Sequence, residues 1–168
     1  MRFLISIFLV FLFSIAQGQD VLNPAFKENL QSLLDDSVPS ISVKKLCEDS
    51  PDAYTLLDAR ELEEYTTSHI PNAKYIGYED FDISRLEGLS YDTPIVVYCS
   101  VGYRSEKITN KLKTAGYQNV YNLVGSIFEW VNQGHLIEDK NALPTQTLHT
   151  YNKAWSKWVD APKIKKVW

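Results

Sequence analysis

The chain has 168 residues, 45% of them apolar and 23% charged, with a formal net charge of −4. That length suits one domain of ordinary size, and the composition carries no mark of disorder, collagen or repeats. A net negative charge supplies no whole-molecule attraction to nucleic acid or anionic lipid, so neither is expected as a partner.

In chain order, the first segment stands apart. Arg2 precedes an apolar run from Phe3 to Ile15, broken only by Ser6 and Ser14, and Ala16 and Gly18 follow. Charge, apolar run and small residues in that order predict a secretory signal peptide over residues 1–18, cut after Gly18 to leave Gln19 first. The run is short for a membrane span, and no Cys follows it to carry a lipid. A retained anchor is the alternative. The expectation is an exported protein, periplasmic or secreted, with no stable membrane insertion once the segment is removed.

Residues 19–36 are expected to be an N-terminal helical extension. Phe26, Leu30, Leu33 and Leu34 recur at helical spacing after an Asn23-Pro24 start. Ser37 to Ile41 reads as extended, and Ser42 as the cap of a brief helix through Val43 and Leu46. Tyr54 to Leu57 is a short strand ending in Asp58, Glu61 to Tyr65 a helical turn, Ala73 to Ile76 a second strand candidate, and Tyr78 to Leu86 weakly helical. Pro94 opens Ile95-Val96-Val97-Tyr98, whose side chains do not alternate with polar ones, as in a strand buried on both faces. Ser105 to Ala115 reads as a helix closed by Gly116, Val120 to Leu123 as a strand, and Ser126 to Gln133 as a helix closed by Gly134. This alternation predicts an α/β domain over residues 37–138, with a central, mainly parallel sheet of about five strands flanked by helices. Residues 139–168 are expected to form a C-terminal helical extension. Its stripe of Tyr151, Trp155, Trp158 and Val159 reads as packing on the domain rather than a face for a partner.

Two cysteines, Cys47 and Cys99, do not make a disulfide framework. Cys99 is delivered to the carboxyl end of a buried strand, where ligands bind in open α/β sheets. A short loop containing Gly102 follows, then Arg104, then a helix. A free thiol, with a pKa of about 8.5, is a poor nucleophile while protonated. The helix start brings unpaired N–H groups and partial positive charge, and a curled loop aims more N–H groups at the sulfur. Gly102 permits the backbone turn this needs, and Arg104 adds a fixed charge. Together they favour a thiolate, and the same cradle would hold the charge of a persulfide. The plainer alternative is an inert thiol at a strand end.

At these residues the chain resembles the rhodanese-like single-domain sulfurtransferases. Cys99-Ser100-Val101-Gly102-Tyr103-Arg104-Ser105 is similar to their active-site loop, Cys-x-x-Gly-x-Arg-Ser. Asp58-Ala59-Arg60 with Glu63 and Tyr65 resembles their Asp-Val-Arg…Glu-Tyr segment. His69-Ile70-Pro71-Asn72-Ala73 resembles their Gly-His-Ile-Pro-Gly-Ala turn, and Gly125 to Trp130 their Gly-Gly-x-x-x-Trp helix start. The four motifs occur in the family's order between about Ser37 and Gly134. Ser68, Asn72 and Ser126 stand where the family often has Gly; Asn tolerates a left-handed backbone, and Ser126 reads as harmless.

The resemblance implies a rhodanese-like fold and sulfur transfer. Cys99 would take a sulfur from a donor such as thiosulfate or a persulfide and pass it to a thiol or cyanide acceptor, with ping-pong kinetics and no cofactor. Residues 100–105 would bind the substrate, and a protein thiol is a further candidate partner. The related phosphatases and arsenate reductases carry one more residue before their Arg, so the shorter loop here favours sulfur over an oxyanion. A loop with one charged side chain, Arg104, predicts modest thiosulfate activity. A rhodanese-fold binding or redox-sensing module is the alternative, with a phosphatase or arsenate reductase behind it.

Other residues divide between structure and function. Asp58 and Arg60 read as pocket support, through an ion pair that fixes the strand-to-helix turn with Glu61 or Glu63 as partner, the alternative being substrate contact. His69 reads as bracing a turn rather than as a base for Cys99. Tyr103 lines the pocket mouth or packs on the surface. Cys47 reads as an isolated half-buried thiol, the alternatives being a pair with Cys99 or a resolving thiol. His69, His135 and His149 lack metal-ligand spacing, so no metal is expected.

Overall fold

A computed structural model describes residues 20–168; the expected signal peptide and its cleavage point lie outside the described residues. Helix α1 spans Pro24–Leu33. Its first N–H groups are taken by Asn23 Oδ1, which accepts from Ala25 N at 2.9 Å and Phe26 N at 3.1 Å, and Phe26 and Leu30 are its buried face. Strand β1 (Ser40–Ile41) leads into α2 (Val43–Glu48), capped by Ser42. Then come β2 (Thr55–Asp58), α3 (Leu62–Thr67), β3 (Lys74–Tyr75), β4 (Ile95–Tyr98), α4 (Tyr103–Thr114), β5 (Val120–Leu123) and α5 (Ser126–Asn132).

The five strands form one wholly parallel sheet in the order β1-β5-β4-β2-β3. This is the α/β architecture that the alternating sequence implies. Strand β4 lies at its centre, paired with β2 along its whole length and with β5 from Ile95 to Val97. All four of its side chains are fully buried. Because successive side chains point to opposite faces, Val96 and Tyr98 enter one core with Phe26, Leu123 and Phe128. Ile95 and Val97 enter the other, with Leu57, Ile108 and Leu112. Each such aliphatic side chain contributes about 1.5–3 kcal/mol by leaving water. A strand with two cores explains why no polar residue alternates in the sequence here.

Three expectations are corrected. Helix α4 starts at Tyr103, two residues before the expected Ser105, because Gly102 already serves as its cap. The stretch from Tyr78 to Leu86 holds only one 3-10 turn, Ile83–Leu86, capped by Asp82.

The third correction is the tail, which is not helical. Strand β6 (Ile137–Glu138) pairs antiparallel with β7 (Pro144–Thr145), and β8 (Thr147–His149) pairs parallel with β9 (Lys165–Val167). Trp155–Trp158 is a single 3-10 turn. Only part of the apolar stripe packs inward: Trp158 stacks on Phe26 with centroids 5.3 Å apart and Val159 is buried, whereas Tyr151 remains exposed. The backbone differs because it is held at both ends. Asn152 Oδ1 accepts from Ala154 N and Trp155 N, and Thr150 N donates to Val167 O at 2.7 Å. Among the described residues no helix is long and apolar enough to cross a membrane.

Candidate active site

Strand β4 hands the chain to a loop, Cys99 to Gly102, and α4 begins at once. Two sets of contacts shape this loop. The first amides of α5 draw its carbonyls outward: Ile127 N donates to Cys99 O and Phe128 N to Ser100 O, both at 3.2 Å. Ser126 Oγ accepts from Cys99 N at 3.1 Å and donates to Leu123 O at 2.9 Å. With those carbonyls turned away, the later amides face inward. Gly102, at φ +127° and ψ −17°, points its N–H at Cys99 Sγ, 3.1 Å away. The Ser105 hydroxyl lies 3.5 Å from Sγ, 3.1 Å from Gly102 O and 2.6 Å from Asn122 Oδ1. It has one hydrogen to give. The Gly102 amide is therefore the steadier donor to the sulfur, and Asn122 holds Ser105 in place.

Substituting Gly102 should damage this cradle through its backbone. A Cβ there would meet only ordinary contacts, Leu34 at 3.4 Å, but φ +127° is closed to side-chain-bearing residues. Gly102→Ala is expected to lower stability by about 1–3 kcal/mol, read from the urea midpoint, and to slow reaction at Cys99.

Arg104 is positioned by a residue that sequence reasoning missed. Its guanidinium makes a two-pronged pair with the buried Glu64, Nη1 to Oε2 at 2.6 Å and Nη2 to Oε1 at 2.8 Å. Nη2 also donates to Ser100 Oγ at 3.0 Å, and Glu61 stands 3.7 Å from Nη1. Glu64 rather than Glu63 faces inward because α3 opens with a reciprocal cap: the Glu61 amide donates to Glu64 Oε2 at 3.0 Å, and the Glu61 side chain accepts from the Glu64 backbone. The Glu61-x-x-Glu64 spacing was the available signal. Burial raises the Glu64 pKa, but the Arg104 hydrogen bonds and charge outweigh it and hold the carboxyl below its usual range.

Cys99 is 1% exposed. Burial pushes its pKa up; the Arg104 charge and the donors from Ser105 and Gly102 outweigh that and bring Cys99 below the ordinary thiol range. Cys47 is more exposed, and burial alone moves it the other way, upward. A lowered pKa keeps the thiolate populated at lower pH. Iodoacetamide at neutral pH should therefore label Cys99 before Cys47, with the Cys99 rate levelling at a lower pH than that of a free thiol. Peptide mapping across a pH series measures both; exposure alone would give the opposite order.

The predicted site residues do not all converge. Cys99, Ser100, Val101, Tyr103 and Arg104 line a pocket of about 380 Å³, together with Glu61, Tyr78, Glu79, Tyr151 and Trp155. Gly102 and Ser105 lie behind the sulfur and touch it from within. Asp58, Arg60 and His69 do not line the pocket. Arg60 pairs with Asp58 itself rather than with Glu61 or Glu63, at 2.6 Å from Nη2 to Oδ2. Both are fully buried, because the short turn between them folds the guanidinium back on the strand end. His69 stacks on Tyr65, contacts Tyr65 O at 3.0 Å through Nδ1 and lies 3.3 Å from Glu138. Cys47 Sγ sits 3.5 Å from His135 Nε2, and both cysteines are free. Ser126, read from the sequence as a harmless change, carries the hydroxyl that fixes the Cys99 amide. Nothing in the sequence pattern marked Tyr151 and Trp155 as pocket walls. Among the described residues, no three His, Cys, Asp or Glu side chains gather as a metal site requires.

Residues 42–133 match the model of the rhodanese-like domain family. Over 99 residues the chain is 31% identical to YrkF of Bacillus subtilis, named as a sulfur carrier protein; the match covers 58% of this chain and 53% of that one. It is 28% identical over 75 residues to the thiosulfate sulfurtransferase GlpE of Coxiella burnetii, covering 45% of this chain and 69% of that one. The chain spans about half the length of YrkF and less of several other curated relatives. Among solved structures, the rhodanese-like domain of the Anabaena Alr3790 protein superposes with a TM-score of 0.54 at 27% identity, over 61% of this chain and 80% of that one. A rhodanese-related protein of Thermoplasma volcanium superposes with a TM-score of 0.51 at 29% identity, over 60% and 97%.

Proposed function

We propose, since the chain belongs to the rhodanese-like domain family, that it is a sulfurtransferase carrying sulfane sulfur as a persulfide on Cys99. The observation that carries this reading is the Gly102 N–H aimed at Cys99 Sγ from 3.1 Å, within a loop that closes on Arg104. The Cys99 thiolate attacks the outer sulfur of a donor. A new S–S bond forms, the donor's own bond breaks, and the leaving group departs with the electron pair, as sulfite from thiosulfate or as a thiolate from a persulfide. The inward amides that hold one thiolate hold the terminal sulfur's charge in the same way. An acceptor, cyanide or a thiol, then attacks that terminal sulfur and restores the thiolate. Arg104 is already paired with Glu64, which supports a modest rate with thiosulfate and a larger role for thiol and persulfide partners. The apolar leader supports export to the periplasm or the medium.

Intact-mass measurement tests the cycle. The protein is incubated with thiosulfate or a persulfide donor, then with cyanide. The expected result is a gain of one sulfur atom on Cys99, lost again as thiocyanate appears. No gain with either donor, while Cys99 still alkylates, would move the weight to a redox-sensing or docking role.

A further inference from the structure

Two of the pocket walls, Tyr151 and Trp155, come from the tail beyond the family match. Their placement is enforced. Strand β8 packs on α3, the helix that supplies Glu61 and Glu64. Immediately after β8, the fully buried Thr150 ties its N–H and hydroxyl to Val167 O at 2.7 and 3.2 Å. Tyr151 then takes φ +64°, a conformation a bulky side chain adopts only when its surroundings dictate it. The result sets its ring against the Arg104 guanidinium, 5.2 Å from the ring centroid.

The charges around this wall are unbalanced. Arg104 is the one cation among the described residues lining the pocket. Glu64 already occupies it with both oxygens, and Glu61 approaches to 3.7 Å. Glu79, which lines the same pocket, adds a third carboxylate, and its backbone lies close enough to act on the Glu61 side chain, so the two acids are neighbours. Lys107, near Tyr103, is spent on Asp35 at 2.9 Å. Two carboxylates, Glu64 and Glu61, thus meet the one guanidinium, and a third, Glu79, lines the same pocket as Cys99. Apart from Ser100 and Val101 of the loop, the remaining lining is aromatic: Tyr78, Tyr103, Tyr151 and Trp155. Ring faces beside unpaid negative charge attract cations and repel dianions.

We propose that this rim selects a small sulfur compound bearing a positive charge next to its reactive sulfur, a thiol or persulfide of the aminothiol class. The inference rests on the sulfurtransferase reading for the transferred group, but the charge preference stands apart from it. During delivery the ammonium would sit among Glu61, Glu79 and the Tyr151 ring while the sulfur reaches Cys99.

The test uses two methanethiosulfonate reagents, one ending in trimethylammonium and one in sulfonate. With each, the Cys99 thiolate attacks the sulfenyl sulfur, a disulfide forms and methanesulfinate leaves. The ratio of rates, cation over anion, is divided by the same ratio measured on 2-mercaptoethanol. The expected normalised ratio is roughly tenfold, the effect of about one net charge near 10 Å in a partly screened site. Glu79→Gln and Tyr151→Ala should each lower it by about threefold. A normalised ratio at or below one overturns the proposal, as does a ratio untouched by both substitutions. In parallel, 2-aminoethanethiol should discharge the persulfidated protein faster than 3-mercaptopropionate, and the reverse order overturns the substrate class. Failure of the sulfurtransferase reading looks different: Cys99 gains no sulfur from any donor, yet the labelling ratio still favours the cation.

Discussion

Cys99→Ser is expected to abolish sulfur transfer, lowering turnover by roughly a thousandfold or more, while the folded protein persists. A serine hydroxyl stays protonated at neutral pH, and oxygen cannot hold the transferred atom as an S–S bond. The cradle should survive the change. The Gly102 N–H at 3.1 Å and the Ser105 hydroxyl at 3.5 Å would face an oxygen instead of a sulfur, and the Ser126 hydroxyl holds residue 99 by its backbone amide, which the change leaves in place. Steady-state assays with a persulfide donor, beside a thermal melt, separate the two effects. A variant that keeps a tenth of the activity would place the transferred sulfur elsewhere. A redox or docking module would lose its thiol chemistry but keep any partner it recognises by shape.

Asp58→Ala should have the largest effect on stability, about 3–5 kcal/mol. Arg60 is fully buried and remains charged at any accessible pH. Asp58 neutralises it with both oxygens, accepting from Nε at 2.9 and 3.1 Å and from Nη2 at 2.6 Å. Without Asp58 the guanidinium keeps one hydrogen bond, to the Ser68 carbonyl at 2.6 Å, and its place over the Tyr98 ring, while Nη1 has no hydrogen-bond partner among the described residues. The loss should appear as a lower urea midpoint with an unchanged slope. Removing both charges, as Asp58→Ala with Arg60→Met, should recover most of it, because the penalty comes from the stranded cation. A single variant as stable as the parent would mean that the buried pair contributes nothing beyond its own desolvation.

How much of this was legible in the sequence depends on what each feature answers to. The loop from Cys99 to Arg104 is local: a strand end, a glycine at positive φ, a cation and a helix start lie within six residues, so the order of these parts was legible, although the helix begins at Tyr103, two residues before the expected start. Which of two adjacent glutamates meets Arg104 depends on the phase of α3, and one turn of capping decides it for Glu64. The partner of Arg60 was misassigned because the guanidinium folds back two residues instead of reaching forward along the helix. The tail was hardest. Tyr151, Trp155, Trp158 and Val159 show a helical period, but the pairing of Thr147–His149 with Lys165–Val167 is non-local and overrides it. Periodicity reports that side chains need burial, and here Trp158 and Val159 find it through a tight turn instead while Tyr151 stays exposed.

The central position of β4 separates two kinds of fluctuation. Its amides are bonded on both sides and covered by two cores, so they should exchange with solvent only when the whole domain opens. The reactive sulfur hangs from that slowest-exchanging unit. Tyr151 and Trp155 hang between two paired strands of three residues each, which should open at a smaller free-energy cost. Reactivity and discrimination then belong to units that melt apart from each other. In urea well below the main transition, the protein should become less choosy about the charge of its substrate before it becomes slow.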